Sequence, residues 1–143
     1  MHLLILNGPN LNLLGLREPD IYGKTSYDGL CAMIRAHADK AGVTVDCKQS
    51  NHEGVLVDWI QEAYGKVDGI VFNPGAYTHT SIALLDALKA VGIPCVEVHI
   101  SDVNEREPFR QISYVGLYAE KRIIGQGLNG YLAAMDYLIE KYK

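Results

Sequence analysis

The stretch "GIVFNPGAYTHTSIALLDALKAVGIPCVEVHI", residues 69–100, decides the fold. Two short apolar runs, "GIVFN" at 69–73 and "PCVEVHI" at 94–100, flank "IALLDALKAVG" at 82–92, which reads as a helix. Strands that are apolar throughout, joined by a segment long enough for a crossover helix, argue for a parallel sheet covered on both faces.

The same unit recurs on either side. Toward the N-terminus, "LLIL" at 3–6 is followed by a loop and by "TSYDGLCAMIRAHADKAG", where Leu30, Met33, Ile34 and Ala38 share a helical face and Gly42 suits a C′ stop. Then come "VTVDCKQ" and "SNHEGVLVDWIQEAYG". In the latter, Ser50 and Glu53 have capping-box spacing, and Val57, Ile60 and Tyr64 supply an apolar stripe. Toward the C-terminus, a long polar loop leads to "RIIGQG" and a last helix, "LNGYLAAMDYLIEKY". The pattern predicts an α/β fold, a flavodoxin-like three-layer sandwich with a five-stranded parallel sheet. Order 2-1-3-4-5 is expected, and other doubly wound orders stay open at this point.

At 143 residues the chain is expected to form one domain, residues 1–143. With 48% hydrophobic and 21% charged residues it has a globular composition, and no apolar run approaches the ~18 residues of a membrane span. The N-terminus lacks the basic head of a signal peptide. Cys31, Cys47 and Cys95 are odd in number and contain no C-x-x-C pair, so they read as thiols of a reducing compartment. These features predict a soluble, cytoplasmic protein. A net charge of −4, with scattered cations, argues against a nucleic-acid partner.

In such sheets ligands bind beyond the carboxyl ends of the strands. Three loops therefore matter: "NGPNLNLLGLREPDIYG" after the first strand, "NPGAYTHTS" after the third and "HISDVNEREPFRQ" after the fourth. They carry Asn10, Arg17, Tyr22, Asn73, His79, His99, Ser101 and Arg110. The first is long for a βα connection, usually about 2–6 residues. It is expected to work as a lid, with Leu13 and Leu14 closing over a ligand and Gly8 and Gly15 as hinges.

Each residue type has a chemical and a plain reading. A phenol with a pKa near 10 is ionised about once in a thousand molecules at pH 7, a deficit of roughly 4 kcal/mol for a base. Arg17 beside Tyr22 would reduce that deficit; otherwise the pair is an edge-packed ring with an exposed guanidinium nearby. His99 ends an apolar strand, where imidazole can donate a proton near neutrality, and Glu97, two residues earlier on the same side, can hold one tautomer. The plain alternative is a histidine satisfied by backbone. The amides of Ile100 and Ser101 leave the strand and suit a carboxylate. His79 precedes Thr80 and Ser81, either of which can cap the third helix; the histidine belongs either to a site there or to solvent.

No metal site is expected, since His79 and His99 lack ligand spacing and H-E-x-x-H is absent. "GQGLNG" at 125–130 matches a dinucleotide fingerprint, but no second strand with its acidic residue can follow. These glycines read as a tight strand-to-helix turn.

Taken together, "LNGPNLNLLGLREPDIYG", "QSNHEG", "NPGAYTHTS", "VEVHISDVNEREPFRQ" and "GQGLNGY" resemble, in order and along nearly the whole chain, the type II 3-dehydroquinate dehydratases of the shikimate and quinate pathways. The resemblance implies dehydration of 3-dehydroquinate to 3-dehydroshikimate with no cofactor. It casts Tyr22 as the base at C2, Arg17 as the group keeping that phenol acidic, Asn10 as enolate stabiliser through water, and His99 as the acid for the C1 hydroxyl. It also implies substrate contacts from Asn73, His79, Arg110 and the Ile100 and Ser101 amides, with a small carboxylate substrate. Asp86 would reach a neighbouring subunit's site in a dodecamer of four trimers. Two other readings compete: a non-catalytic small-anion binding module, and an enzyme for another hydroxy-ketone acid.

Overall fold

The chain forms five parallel strands in a computed structural model that describes residues 1–16, 20 and 24–143. The strands are β1 (His2–Asn7), β2 (Thr44–Gln49), β3 (Gly69–Asn73), β4 (Cys95–His99) and β5 (Lys121–Ile124), and their order is β2-β1-β3-β4-β5. Among the described residues the α-helices are α1 (Tyr27–Ala41), α2 (Glu53–Glu62), α3 (Ile82–Val91) and α4 (Asn129–Tyr142). This is the flavodoxin-like arrangement, and it settles the strand order.

Side-chain alternation along each strand divides the interior into two layers. Leu3 and Ile5 of β1, Val71 of β3, and Val96 and Val98 of β4 pack with Leu30, Ile34, Met135 and Leu138 of α1 and α4. Leu4 and Leu6, Ile70 and Phe72, and Cys95 face the other way, onto Leu56 and Ile60 of α2 and Leu84 and Leu88 of α3. Both faces of β1, β3 and β4 are thus covered, and β1 and β3 are apolar on both sides until the asparagines that end them. Glu97 and His99 fall on the α2–α3 side by the same parity, each as deeply buried as the apolar residues around it.

Helix α1 is capped by Ser26, whose Oγ accepts from the Gly29 amide at 3.1 Å, and it stops at Gly42 in the left-handed region. Helix α2 departs from expectation: its N-cap is His52, and Ser50 is not the cap. The Ser50 amide still donates to Asn7 O at 3.0 Å, so that residue extends the β1–β2 ladder and cannot turn into the helix. Its Oγ instead accepts from the His52 amide at 3.0 Å. Tyr64 lies beyond the end of α2 and is exposed, whereas Val57 is half-buried and packs with Ile60 on the face that Leu56 also buries.

Two features of the first loop also differ from the lid expectation. Leu14 is buried in the core beside α1, whereas Leu13 is exposed. Gly8 is required for a close approach, because a Cβ there would lie 2.2 Å from the Pro74 carbonyl oxygen. Its amide donates to Asn73 O at 2.8 Å, fixing the ends of β1 and β3 together.

Candidate active site

The carboxyl ends of β1, β3 and β4 converge on one cleft lined by Asn10, Asn73, His79, His99, Ile100, Ser101, Arg106 and Arg110. Seven of the residues expected from the sequence therefore meet, and Arg106, which sequence reasoning passed over, joins them. Glu97 stands behind His99. Asp86 is exposed on α3 and takes no part in the cleft wall. Arg17 and Tyr22 lie outside the described residues.

Asn10 adopts φ 71°, a left-handed conformation that asparagine tolerates better than most side chains. Its amide donates to Asn51 Oδ1 at 3.0 Å. Asn51 is in turn held by Gln49 Nε2 at 3.1 Å and, through its carbonyl, by the Tyr77 hydroxyl at 2.8 Å. Gln49 and Asn51 are supports that the sequence did not single out as site residues. The only signal was their place at the carboxyl end of β2, in the "QSNHEG" block.

Asn73 is pinned from both ends of its amide. Oδ1 accepts from the Gly75 amide at 3.1 Å, and Nδ2 donates to the Tyr131 hydroxyl at 2.9 Å. The Tyr131 hydroxyl in turn donates to Asn7 Oδ1 at 2.6 Å. Burial raises the Tyr131 phenol well above its ordinary range, so this bond remains neutral across working pH. One Nδ2 proton of Asn73 is left for the cleft.

His99 is bonded through Nε2 to Glu97 Oε2. Glu97 also accepts from Ser113 Oγ at 2.7 Å and from Arg122 Nε at 3.1 Å. Burial by itself would push the Glu97 carboxyl upward, but the His99 hydrogen bond and charge, the Ser113 hydroxyl and the Arg122 guanidinium together hold it below its ordinary value. The carboxylate is therefore ionised and obliges Nε2 to carry a proton, leaving Nδ1 as the second ring nitrogen.

His79 is fixed by Nδ1–H donating to Ile112 O at 2.7 Å. Desolvation lowers its pKa, with the charges of His99 and Arg110 in the same direction, partly offset by the Ile112 carbonyl. It therefore serves as a neutral hydrogen-bonding group near pH 7. Ser81, not Thr80, caps α3, accepting from Leu84 N at 3.0 Å.

The carbonyls of His99 and Ile100 accept from the Gly125 and Gly127 amides at 3.1 and 3.0 Å. Both glycines have positive φ, so "GQGLNG" is the tight turn expected of it and it ties the end of β4 to the start of α4. Ile100 and Ser101 line the cleft wall. Arg110 reaches the cleft with Nε on Glu107 Oε2 at 2.7 Å and its guanidinium 5.2 Å from the Phe109 ring centre. Among the described residues no three His, Cys, Asp or Glu side chains form a metal-binding group.

Fold and cleft define a flavodoxin-like α/β enzyme with an imidazole–carboxylate pair set among cations at the strand ends. The model of the family described as "Dehydroquinase class II" matches residues 1–139. The chain is 53% identical over 141 residues to a catabolic 3-dehydroquinase of Aspergillus clavatus, covering 99% of this chain and 94% of that protein. It is 50% identical over 142 residues to a 3-dehydroquinate dehydratase of Variovorax paradoxus, covering 96% and 97%. The crystal structure of the type II dehydroquinase of Butyrivibrio crossotus superposes with a TM-score of 0.95 at 54% identity, covering 96% of this chain and 97% of that one. The chain belongs to the class II dehydroquinase family and is an enzyme of that type.

Proposed function

We propose that this chain, as a single catalytic domain, dehydrates 3-dehydroquinate to 3-dehydroshikimate. Tyr22, as phenolate, removes a proton from C2 beside the ring ketone, with Arg17 favouring the ionised phenol. The electron pair moves onto the ketone oxygen as an enolate, met by a water held on Asn10. Collapse of the enolate expels the C1 hydroxyl. His99 gives that oxygen its proton, so one water and one conjugated enone leave. Glu97 stabilises the imidazolium form that must do this. Asn73, His79 and Arg110 hold ring hydroxyls, and the Ile100 and Ser101 amides take the carboxylate.

The observation that carries this reading is His99, buried at the cleft wall with Nε2 committed to an ionised Glu97, which leaves Nδ1 for a substrate. The two cations on the same wall suit an acid substrate despite the chain's overall negative charge. The reaction serves the quinate and shikimate routes alike, so we assign the enzyme to that shared step. We place it in the cytoplasm, in keeping with three cysteines that are all thiols and with the lack, among the described residues, of any helix long and apolar enough to span a membrane. Purified protein mixed with 3-dehydroquinate is expected to generate the enone's ultraviolet absorbance; folded protein that leaves the substrate unchanged overturns the assignment.

We further infer a homo-oligomer, a dodecamer of four trimers, in which Asp86 meets the neighbouring site. In support, Asp86 stands exposed on α3, outside its own cleft. Light scattering is expected to return twelve times the chain's 15.8 kDa; a monomeric mass contradicts it.

A further inference from the structure

Glu97 is fully buried, and the groups that satisfy it come from three separate segments. Arg122 stands directly opposite it in the parallel β4–β5 register and reaches Oε2 at 3.1 Å. Ser113, from the loop before β5, donates to Oε1 at 2.7 Å, and its hydroxyl oxygen is itself fixed by the Gly116 amide at 2.9 Å. A Cβ at Gly116 would lie 2.9 Å from Ser113 Oγ, 3.0 Å from Glu97 Oε1 and 3.1 Å from Arg122 Cδ. The backbone at residue 116 therefore seals the cluster, and any side chain there would press on three of its members at once.

We propose that Arg122 and Ser113 are positioning residues for His99, acting through the Glu97 carboxylate, with Gly116 reserving the space in which the cluster closes. The inference rests on the reading of His99 as the proton donor. A buried carboxylate with one imidazole as its sole partner would hold the imidazolium too strongly and release its proton reluctantly. The guanidinium divides the carboxylate's charge between two cations, while the Ser113 hydroxyl fixes the plane of the carboxylate and with it the ring. Arg122 is half-buried, with its side chain 30% exposed, so it pairs with Glu97 without itself being fully desolvated.

Among the described residues, few groups face this cluster. Glu97 has His99 on its own strand, Arg122 on β5, Ser113 from the loop, and the neutral Cys95 thiol, which burial raises. His99 has, besides Glu97, His79 from the turn after β3 and Arg106 and Arg110 across the cleft.

The test uses Arg122→Met, Arg122→Lys and Ser113→Ala in the full chain. His99 is followed by NMR of labelled imidazole, with His99→Gln used for assignment, and kcat and KM are measured against pH. Loss of the guanidinium should raise the His99 titration by about one unit. In Arg122→Met, kcat should fall roughly tenfold with KM within about twofold, and the alkaline limb of the kcat profile should move up. Arg122→Lys should restore both, and Ser113→Ala should lower kcat without requiring a large titration shift. An unmoved His99 titration in folded Arg122→Met overturns the proposal. So does failure of Arg122→Lys to recover it, which is the deciding comparison should the methionine variant not fold. The titration needs no turnover, so it stands apart from the assignment of His99 as acid, which wild-type kcat in His99→Gln would refute by itself.

Discussion

At the residue scale, Glu97 and His99 show what a strand makes legible. Side chains two apart share a face, so the pairing follows from "VEVH" once β4 is recognised. Ser113 and Arg122 do not follow, because their approach depends on strand register and on a turn whose path the sequence does not display. The ionised, buried Glu97 has a measurable consequence. Its carboxyl sits below its ordinary value of 4.5, so it contributes stability that is present above pH 4.5 and lost as pH falls through its lower folded-state value. His79, also lowered, adds a gentler loss that begins nearer its ordinary 6.5. Urea midpoints of wild type should therefore drop steeply below about pH 4.5, whereas Glu97→Gln, less stable at neutral pH, should show a flatter acid limb. Parallel acid limbs for the two proteins would count against the pairing.

At the element scale, what was readable were caps whose signal is local. Gly42 ends α1, and "GQGLNG" makes a turn. The Ser50–Glu53 box was misleading because a cap must leave its strand, and the Ser50 amide is retained by Asn7 O. The lid reading of the first loop failed in part for a related reason: Leu14 finds a place in the core, so that part of the loop is anchored. Helix α3 begins at the cleft and depends on the buried Ser81 side chain. Ser81→Ala should cost about 1 kcal/mol of unfolding free energy in urea titrations; a change of only a few tenths would show the cap to be dispensable.

At the scale of the whole molecule, the fold was legible because β1 and β3 are apolar on both faces and β4 is buried on both, a pattern that a sheet covered on two sides explains. The order of the strands was not, since hydropathy is indifferent to which buried strand lies beside which. The cleft followed from topology: loops after three strands at one edge brought seven expected residues together. Among the supports behind them, Gln49 and Asn51 were marked only by their place at the end of β2, and Tyr77 and Tyr131 by no feature that foretold their bonds. The account as a whole stands on proton donation by His99 in this cleft. The most direct measurement is the turnover of 3-dehydroquinate by wild type and by His99→Gln of matched fold, followed as enone absorbance. Wild type should turn over while the variant loses on the order of 10²–10⁴ in kcat with substrate still bound; equal kcat in the two proteins would contradict it.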